Sequence, residues 1–241
     1  MKDVIRKIAV SSAISGALVL SGCGGQTETR LWVSDAEGDL GYVNVDTGEV
    51  TVVGNMGVQM TDIAFDPQGN LYGITFTQLY AINKDTAEAT LIGAHNNDSG
   101  SKNSLVFDND GTLYAAWDAL YTIDVSSGMS NLIGNGGTVY RSSGDLAFHK
   151  GELYLASRSS AGTGDDLVVL STLDGGSALV GPLGDQPVFY GLSSNKKSLY
   201  TVSGTTVYSV DPATADISEV VSFADSEIGP AFGSAFPNEA K

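Results

Sequence analysis

Two aspartates with the same position in matching segments are the residues best suited to chemistry: Asp62-Ile-Ala-Phe65 and Asp145-Leu-Ala-Phe148. Glycoside hydrolysis needs one protonated and one ionised carboxyl group, set about 5–9 Å apart. The positions equivalent to Asp62 and Asp145 in the other units carry no carboxylate: Ser104, Gly191 and Gly233. Glu227, just before the Gly233 segment, could add a third carboxylate. The pair predicts either a hydrolytic site or two side chains that accept backbone N–H groups, as aspartates commonly do.

The other chemical motifs are weak. His95 opens a polar loop, whereas His149 occupies the turn after the Asp145 segment, so a shared zinc site is not expected. The segment Asp108-Asn-Asp-Gly111 begins like a calcium loop, but it lacks the later oxygen ligands and aligns with the turn Asp66-Pro-Gln-Gly69. The chain contains no nucleophile elbow, phosphate-binding loop or HExxH motif. We therefore expect neither a metal nor a cofactor.

A second group of residues has the types that commonly bind ligands. The longer connecting segments, 95–103, 136–143, 157–166 and 184–190, and one neighbouring turn carry arginine and aromatic side chains. Such side chains often anchor peptides or glycans. With Asp62 and Asp145, the predicted ligand-binding residues are Trp117, Tyr140, Arg141, Arg158 and Tyr190.

A repeat of 40–46 residues positions all of these side chains. A leucine followed by an aromatic residue recurs at Trp32, Tyr72, Tyr114, Tyr154 and Tyr200, in steps of 40, 42, 40 and 46 residues. Each unit reads as four short strands joined by turns rich in Gly, Asp and Asn. No sustained 3.6-residue apolar period is present, so we expect almost no helix. A period near 40–45 with four strands per unit is typical of β-propeller blades.

The ends of the repeat region predict how the ring closes. The first unit lacks an inner strand, and Gly233-Ser-Ala-Phe236 matches the missing segment in position and pattern. An open solenoid would not need this replacement, whereas a closed ring leaves no strand edge unpaired. The predicted fold is all-β: a five-bladed β-propeller closed by a C-terminal strand that completes the first blade. The recurring Leu-aromatic pairs are expected to pack between blades.

The N-terminal region has the pattern of an export signal. Basic Lys2, Arg6 and Lys7 precede an apolar run of 13 residues at 8–20, which is shorter than the roughly 20 residues of a membrane-spanning helix. The run ends in Leu20-Ser-Gly-Cys23, which resembles the lipobox of bacterial lipoproteins. The resemblance implies cleavage before Cys23, the single cysteine, and its lipidation. Because Gly24-Gly25 lacks the aspartate of an inner-membrane retention signal, the expected location is the cell envelope, in the outer membrane if there is one.

Charge limits the possible partners. The chain has a net charge of −16, and without residues 1–22 it keeps 9 basic and 27 acidic residues, a net charge of −18. So acidic a surface repels phosphate backbones and anionic lipid headgroups. We therefore expect no nucleic-acid partner, membrane attachment through the lipid alone, and a monomer. The expected divisions are 1–22 signal peptide, 23–30 lipidated tether, 31–236 propeller and 237–241 tail.

The repeat elements across 31–236 resemble those of secreted bacterial propellers of unknown function and, more distantly, NHL, WD40-like and quinoprotein-like propellers. The resemblance implies a fold but hardly any activity, because propellers host many functions. The residues favour a non-enzymatic lipoprotein that binds a protein, peptide or glycan through its loop-rich face. One alternative is a carbohydrate-active hydrolase that uses Asp62 and Asp145. Another is a passive structural subunit of an envelope assembly.

Overall fold

The fold is built entirely from short antiparallel strands. The computed structural model describes residues 28–95, 101–162, 164–184, 186 and 188–239. These residues form twenty β-strands and no helix, and the strands pair into five separate four-stranded sheets. Each sheet is one blade. The predicted all-β, five-bladed propeller is therefore confirmed.

Blades 2 to 5 each consist of four consecutive strands, ordered from the channel to the rim. Blade 2 contains β4 (Asp62–Phe65), β5 (Leu71–Ile74), β6 (Gln78–Ile82) and β7 (Ala89–Ala94). Blade 3 contains β8 (Ser104–Phe107), β9 (Leu113–Ala116), β10 (Leu120–Ile123) and β11 (Ser130–Gly134). Blade 4 contains β12 (Ser142–His149), β13 (Glu152–Arg158), β14 (Asp165–Leu170) and β15 (Ser177–Pro182). Blade 5 contains β16 (Gly191–Ser194), β17 (Leu199–Ser203), β18 (Thr206–Val210) and β19 (Ile217–Ser222).

Blade 1 joins the two ends of the propeller. It contains β1 (Arg30–Asp35), β2 (Asp39–Asn44), β3 (Val50–Asn55) and the last strand, β20 (Ala231–Ala235). Strand β20 pairs antiparallel with β1, with Val33 opposite Ser234. It begins two residues before the predicted Gly233 but supplies the predicted inner strand. The inner strands then form a closed ring in the order β20, β4, β8, β12 and β16.

Aromatic pairs hold neighbouring blades together. The aromatic residue after the recurring leucine in one blade packs against the phenylalanine at the end of the next blade's inner strand. The ring centroids are 5.2–5.7 Å apart. The four pairs are Trp32–Phe65, Tyr72–Phe107, Tyr114–Phe148 and Tyr200–Phe236. Edge-to-face and tilted ring pairs of this kind add to the stabilisation from area burial. The prediction that the Leu-aromatic residues pack between blades is confirmed at these four interfaces.

The interface between blades 4 and 5 departs from this pattern. Blade 5 has Ser194 where the other inner strands have phenylalanine, and His149 Nδ1 lies 2.8 Å from Ser194 Oγ. His149 is therefore the buried last residue of β12 rather than a turn residue as predicted. Burial, followed by the charge of Lys150, lowers the pKa of His149. A hydrogen bond takes the place of the aromatic contact here.

Turn chemistry explains the calcium-like segment. Asp66 Oδ1 accepts the backbone N–H groups of Gln68 and Asn70, which closes the turn after β4. Asp108 Oδ1 accepts two N–H groups with the same spacing, from Asp110 and Thr112. The carboxylate of Asp108 is thus used by an ordinary Asx turn.

Candidate ligand-binding site

One mouth of the channel collects side chains from all five blades. The inner strands begin at this mouth, and the turns between the second and third strands of each blade rise on the same side, because the strands are antiparallel. A cavity of about 210 Å³ lies there, which we call the mouth pocket. Its polar side chains are Gln59, Thr61, Asn103, Ser143 and Arg158; its aromatic side chains are Phe76, Trp117, Tyr190 and Phe232.

Two aromatic pairs form opposite parts of the wall. Phe76 and Trp117, from the mid-blade turns of blades 2 and 3, meet edge to face with centroids 6.0 Å apart. Tyr190, from the segment before β16, and Phe232, the second residue of β20, meet at 5.2 Å. Phe76 remains 48% exposed. These rings offer apolar and π surfaces to a ligand.

Arginine supplies the positive charge of this mouth. Arg158 is exposed and lines the mouth pocket, whereas the Arg141 guanidinium lies over the Trp117 ring, 4.6 Å from its centroid. Among the described residues the sole ion pair is Arg30–Glu28, so neither arginine at the mouth has a carboxylate within 4.0 Å. Arg141 therefore braces the Trp117 ring, and Arg158 keeps its guanidinium available to the cavity.

The carboxylate that pairs in register with Arg158 is already used. Asp165 stands opposite Arg158 across β13 and β14. The side chain of Asp165 accepts a short hydrogen bond from Ser143 Oγ and a 2.7 Å bond from the N–H of Phe189. Burial raises the pKa of Asp165, and the hydrogen bonds from Phe189 and Ser143 and the charge of Arg158 oppose this shift. These bonds connect the mouth end of blade 4 to the segment that carries Tyr190. Because both oxygens of Asp165 already accept hydrogen bonds, Arg158 has no bidentate partner.

A buried amide in the wall lacks part of its hydrogen bonding. Asn103 is 6% exposed, and its Nδ2 donates a long bond, 3.4 Å, to the carbonyl of Ser142. Its Oδ1 has no partner in the structure. Buried polar groups in proteins are nearly always hydrogen-bonded, so this acceptor is open to a donor from a water or a bound molecule.

The two aspartates lie beneath the mouth pocket. Asp62 and Asp145 follow the lining residues Thr61 and Gly144 by one position and are fully buried. Each carboxylate accepts the N–H of the next residue and one N–H of the next blade. The four acceptances are Ile63 (2.7 Å) and Leu105 (2.6 Å) to Asp62, and Leu146 (2.7 Å) and Leu192 (2.6 Å) to Asp145.

The two carboxyl groups are close enough to influence each other's titration. Burial raises the pKa of both, and the charge of Asp145 raises that of Asp62 further. Both carboxyl groups are fully buried and do not line the mouth pocket, so a substrate in that cavity would not reach them. The geometry therefore does not favour hydrolysis by this pair.

The opposite mouth holds the third carboxylate of the channel. Glu227 is exposed and does not line the mouth pocket. Instead, the Oε1 of Glu239 is buried without a hydrogen-bond partner, and burial, followed by the charge of Asp145, raises the pKa of Glu239. A shallow hollow of about 400 Å³ there is lined by turn residues, among them Asp108 and Lys150. Nothing in the repeat pattern pointed to Glu239, because it follows the last strand.

The structure brings some of the predicted ligand-binding residues to the mouth pocket and others not. Trp117, Arg158 and Tyr190 converge on the mouth pocket, and Arg141 supports it through Trp117. Tyr140 is a correction: it is only 5% exposed and packs in the core between blades 3 and 4, because its segment turns inward before β12. Asp62 and Asp145 lie beneath the cavity without reaching it. Phe76 and Phe232 were not predicted, although an exposed phenylalanine in a turn was a signal for the first.

Some predictions fall outside the described residues. Cys23 and the whole predicted signal peptide belong to this part of the chain, as does segment 96–100. Within the described ranges, no helix is long and apolar enough to cross a membrane. In the same ranges, no group of three or more His, Cys, Asp or Glu is arranged to hold a metal ion.

Fold and cavity together define the class of the protein. It is a small five-bladed β-propeller with short connections and a pocket of about 210 Å³ at one channel mouth. No protein-family model matches the chain, and no curated protein matches it in sequence. The similarity to NHL, WD40-like and quinoprotein-like propellers thus stays a prediction.

Solved structures show the fold at low sequence identity. A gluconolactonase from Xanthomonas campestris aligns with a TM-score of 0.54 and 14% identity, over 86% of this chain and 80% of that one. A protein of unknown function from Bacteroides thetaiotaomicron also gives 0.54 and 14%, over 89% of this chain; this chain spans 66% of its length. A symmetrical protein that emerged de novo in evolution gives 0.51 and 20%, over 87% and 95%. At such identities the likeness establishes the fold alone.

Proposed function

We propose that this protein is a non-enzymatic, envelope-anchored binding protein that holds its ligand in the mouth pocket. The observation that carries the proposal is the convergence of two aromatic pairs and one unpaired arginine around a cavity to which all five blades contribute. Pockets of this kind, apolar with a few placed polar groups, are the usual form of ligand sites.

The rigidity of the surroundings supports binding. The segments that bear Trp117 and Tyr190 are held from several sides: Arg141 covers the Trp117 ring, and Asp165 fixes the backbone next to Tyr190. Beneath the mouth pocket lie buried polar side chains: Asp62, Asp145, Ser193 and Ser234. Ser234 Oγ is 3.2 Å from both Ser193 Oγ and Asp145 Oδ2. A ligand in this site therefore meets a preformed wall, which lowers the entropy cost of binding.

The alternatives find less support. A hydrolase of the predicted kind would need accessible carboxyl groups, and Asp62 and Asp145 are fully buried. A subunit that assembles through its rim would need a contiguous apolar patch. The exposed apolar side chains of the outer strands are instead spread around the ring. Blades 1 to 4 carry one at the same position, and blade 5 carries one a residue later: Val52, Leu91, Leu132, Leu179 and Val220.

The membrane anchor is proposed from the sequence. Leu20-Ser-Gly-Cys23 supports cleavage and lipidation at Cys23, with several acyl chains on one residue. Each buried CH₂ adds about 0.8 kcal/mol, so more than one chain gives stable anchoring. The propeller would then stand off the membrane on the short segment before β1.

Binding of the purified protein to arrays of glycans, peptides and envelope proteins tests the proposal. Trp117→Ala and Tyr190→Ala should each weaken the interaction that is found, because both rings line the mouth pocket. Leu173→Ala is the matched control, since Leu173 is 93% exposed and does not line the mouth pocket. Binding that neither aromatic variant changes would refute the site, and turnover of a ligand that Asp62→Asn abolishes would establish the hydrolase instead.

A further inference from the structure

We propose that the ligand of the mouth pocket is a hydroxylated ring that carries a carboxylate, as in a hexuronate unit, and that Arg158 binds this carboxylate. The inference rests on the proposed function, because it assigns a chemical class to the ligand of the same site.

The size of the mouth pocket sets the first limit. Its volume, about 210 Å³, lies below the roughly 300–1,000 Å³ of pockets for drug-sized ligands. One six-membered ring with its substituents fits such a space, whereas a folded peptide does not. A longer glycan would enter with one terminal unit and leave the rest in solvent.

The charge of the wall sets the second limit. The chain has a net charge of −16, yet the one charged side chain that lines the mouth pocket is Arg158. No carboxylate of the described residues lies within 4.0 Å of its guanidinium, and the side chain of Asp165 is occupied by Ser143 and Phe189. A planar guanidinium with free N–H groups matches a carboxylate with two parallel hydrogen bonds. The wall therefore favours an anionic ligand, although the rest of the acidic surface repels anions.

Hydrogen bonding and ring surfaces set the third limit. The buried Oδ1 of Asn103 lacks a donor, and a hydroxyl group on the ligand would supply one. Trp117 and Tyr190 line the same space and offer flat faces against which the C–H surface of a sugar ring packs. A hydroxylated ring satisfies Asn103, whereas a purely aromatic carboxylate would leave the amide oxygen unpaired, at a cost to affinity.

The test is isothermal titration of the purified protein with D-glucuronate, D-glucose and benzoate. We expect glucuronate to bind at least about tenfold more tightly than either of the others, because each of them lacks one of the two recognised groups. Arg158→Gln should weaken glucuronate binding by about tenfold to hundredfold and remove most of its dependence on salt. Arg158→Lys should recover only part of the loss, since an ammonium cannot form the bidentate pair.

Arg30→Gln is the matched control: it makes the same change at an arginine that pairs with Glu28 and lies outside the mouth pocket. Circular dichroism of each variant establishes that it is folded. Equal binding of glucose and glucuronate, or no effect of Arg158→Gln, would overturn the carboxylate. Benzoate that binds as tightly as glucuronate would overturn the hydroxylated ring.

The failure of the two proposals is distinguishable. If none of the three compounds binds, but a peptide or protein is captured in a manner that Trp117→Ala abolishes, the ligand class is wrong and the mouth pocket remains a binding site. If no compound, glycan, peptide or envelope protein binds, both proposals fall.

Discussion

Asp62 and Asp145 occupy the same register in two non-adjacent blades, and each carboxylate binds the second residue of the following inner strand through its N–H at 2.6 Å. Asp62 joins β4 to β8, and Asp145 joins β12 to β16. Burial raises the pKa of both carboxyl groups, and the charge of Asp145 raises that of Asp62 further. Ser234 of β20 also donates a hydrogen bond to Asp145, at 3.2 Å. A pair that resembles catalytic carboxylates in the sequence thus makes hydrogen bonds that link all five blades around the channel.

This arrangement predicts a specific pH dependence of stability. A carboxyl group whose pKa is higher in the folded state stabilises that state most below its ordinary pKa of about 4, and the contribution is lost as the pH rises through the raised pKa. Asp62→Asn keeps a donor toward Asp145 but leaves one backbone N–H without an acceptor, which costs about 1–3 kcal/mol. The stability advantage of the parent should therefore shrink as the pH increases.

Urea denaturation of both proteins between pH 4 and pH 9 measures this difference. Comparing the two at each pH cancels the titration of groups such as His149, whose lowered pKa acts in the opposite direction. A parent advantage that stays constant or grows toward alkaline pH would contradict a raised pKa in the pair.

Ring closure depends on the absence of a side chain at Gly233. A Cβ at this position would lie 2.5 Å from Asp62 Cα and 2.8 Å from Asp62 Oδ1. Gly233→Ala should therefore lower the free energy of unfolding by about 1–3 kcal/mol through overpacking of the channel. Gly176→Ala is the matched control, because the nearest neighbours of its Cβ would be Asp174 Oδ1 at 3.3 Å and Gly136 Cα at 3.7 Å, an ordinary contact distance. Equal melting temperatures for the two variants would speak against this account of closure.

Arg141 should act through Trp117. Its guanidinium lies 4.6 Å from the Trp117 ring centroid, and it does not line the mouth pocket. Removing a partly exposed cation–π contact of about 0.5–1 kcal/mol predicts that Arg141→Ala weakens ligand binding by only about twofold to fivefold. The salt dependence should stay close to that of the parent, unlike in Arg158→Gln. Titrations at two salt concentrations separate the two roles, and a loss as large as that of Arg158→Gln would make Arg141 a direct ligand contact.

The lipid anchor predicts a change of location. In the producing bacterium, Cys23→Ala should abolish incorporation of labelled fatty acid and shift the protein from the membrane fraction to the soluble fraction. Ser21→Ala serves as the control, since it keeps a small residue before Gly22-Cys23. Labelling that persists in Cys23→Ala would exclude Cys23 as the lipidated residue.

The sequence alone determined the fold, because its signals are local and repeated. Strand length, turn residues and the Leu-aromatic spacing recur in every unit. The inner-strand motif at Gly233, which follows the last unit while the first unit lacks one, showed where the ring closes. The four aromatic contacts between blades follow from this spacing. The fifth does not: Ser194 replaces phenylalanine, and its bond to His149 could not be read from the pattern.

The tertiary structure decided what each loop residue does. Trp117, Tyr140 and Tyr190 are the same kind of residue in similar segments, but the path of the chain before β12 buries Tyr140, while the other two rings face the mouth pocket. Whether Asp62 and Asp145 meet solvent or backbone N–H groups depends on how closely five inner strands approach the axis. Distances between blades arise from packing across the whole ring, so residue types could nominate the members of the site, but only the closed propeller could assemble it.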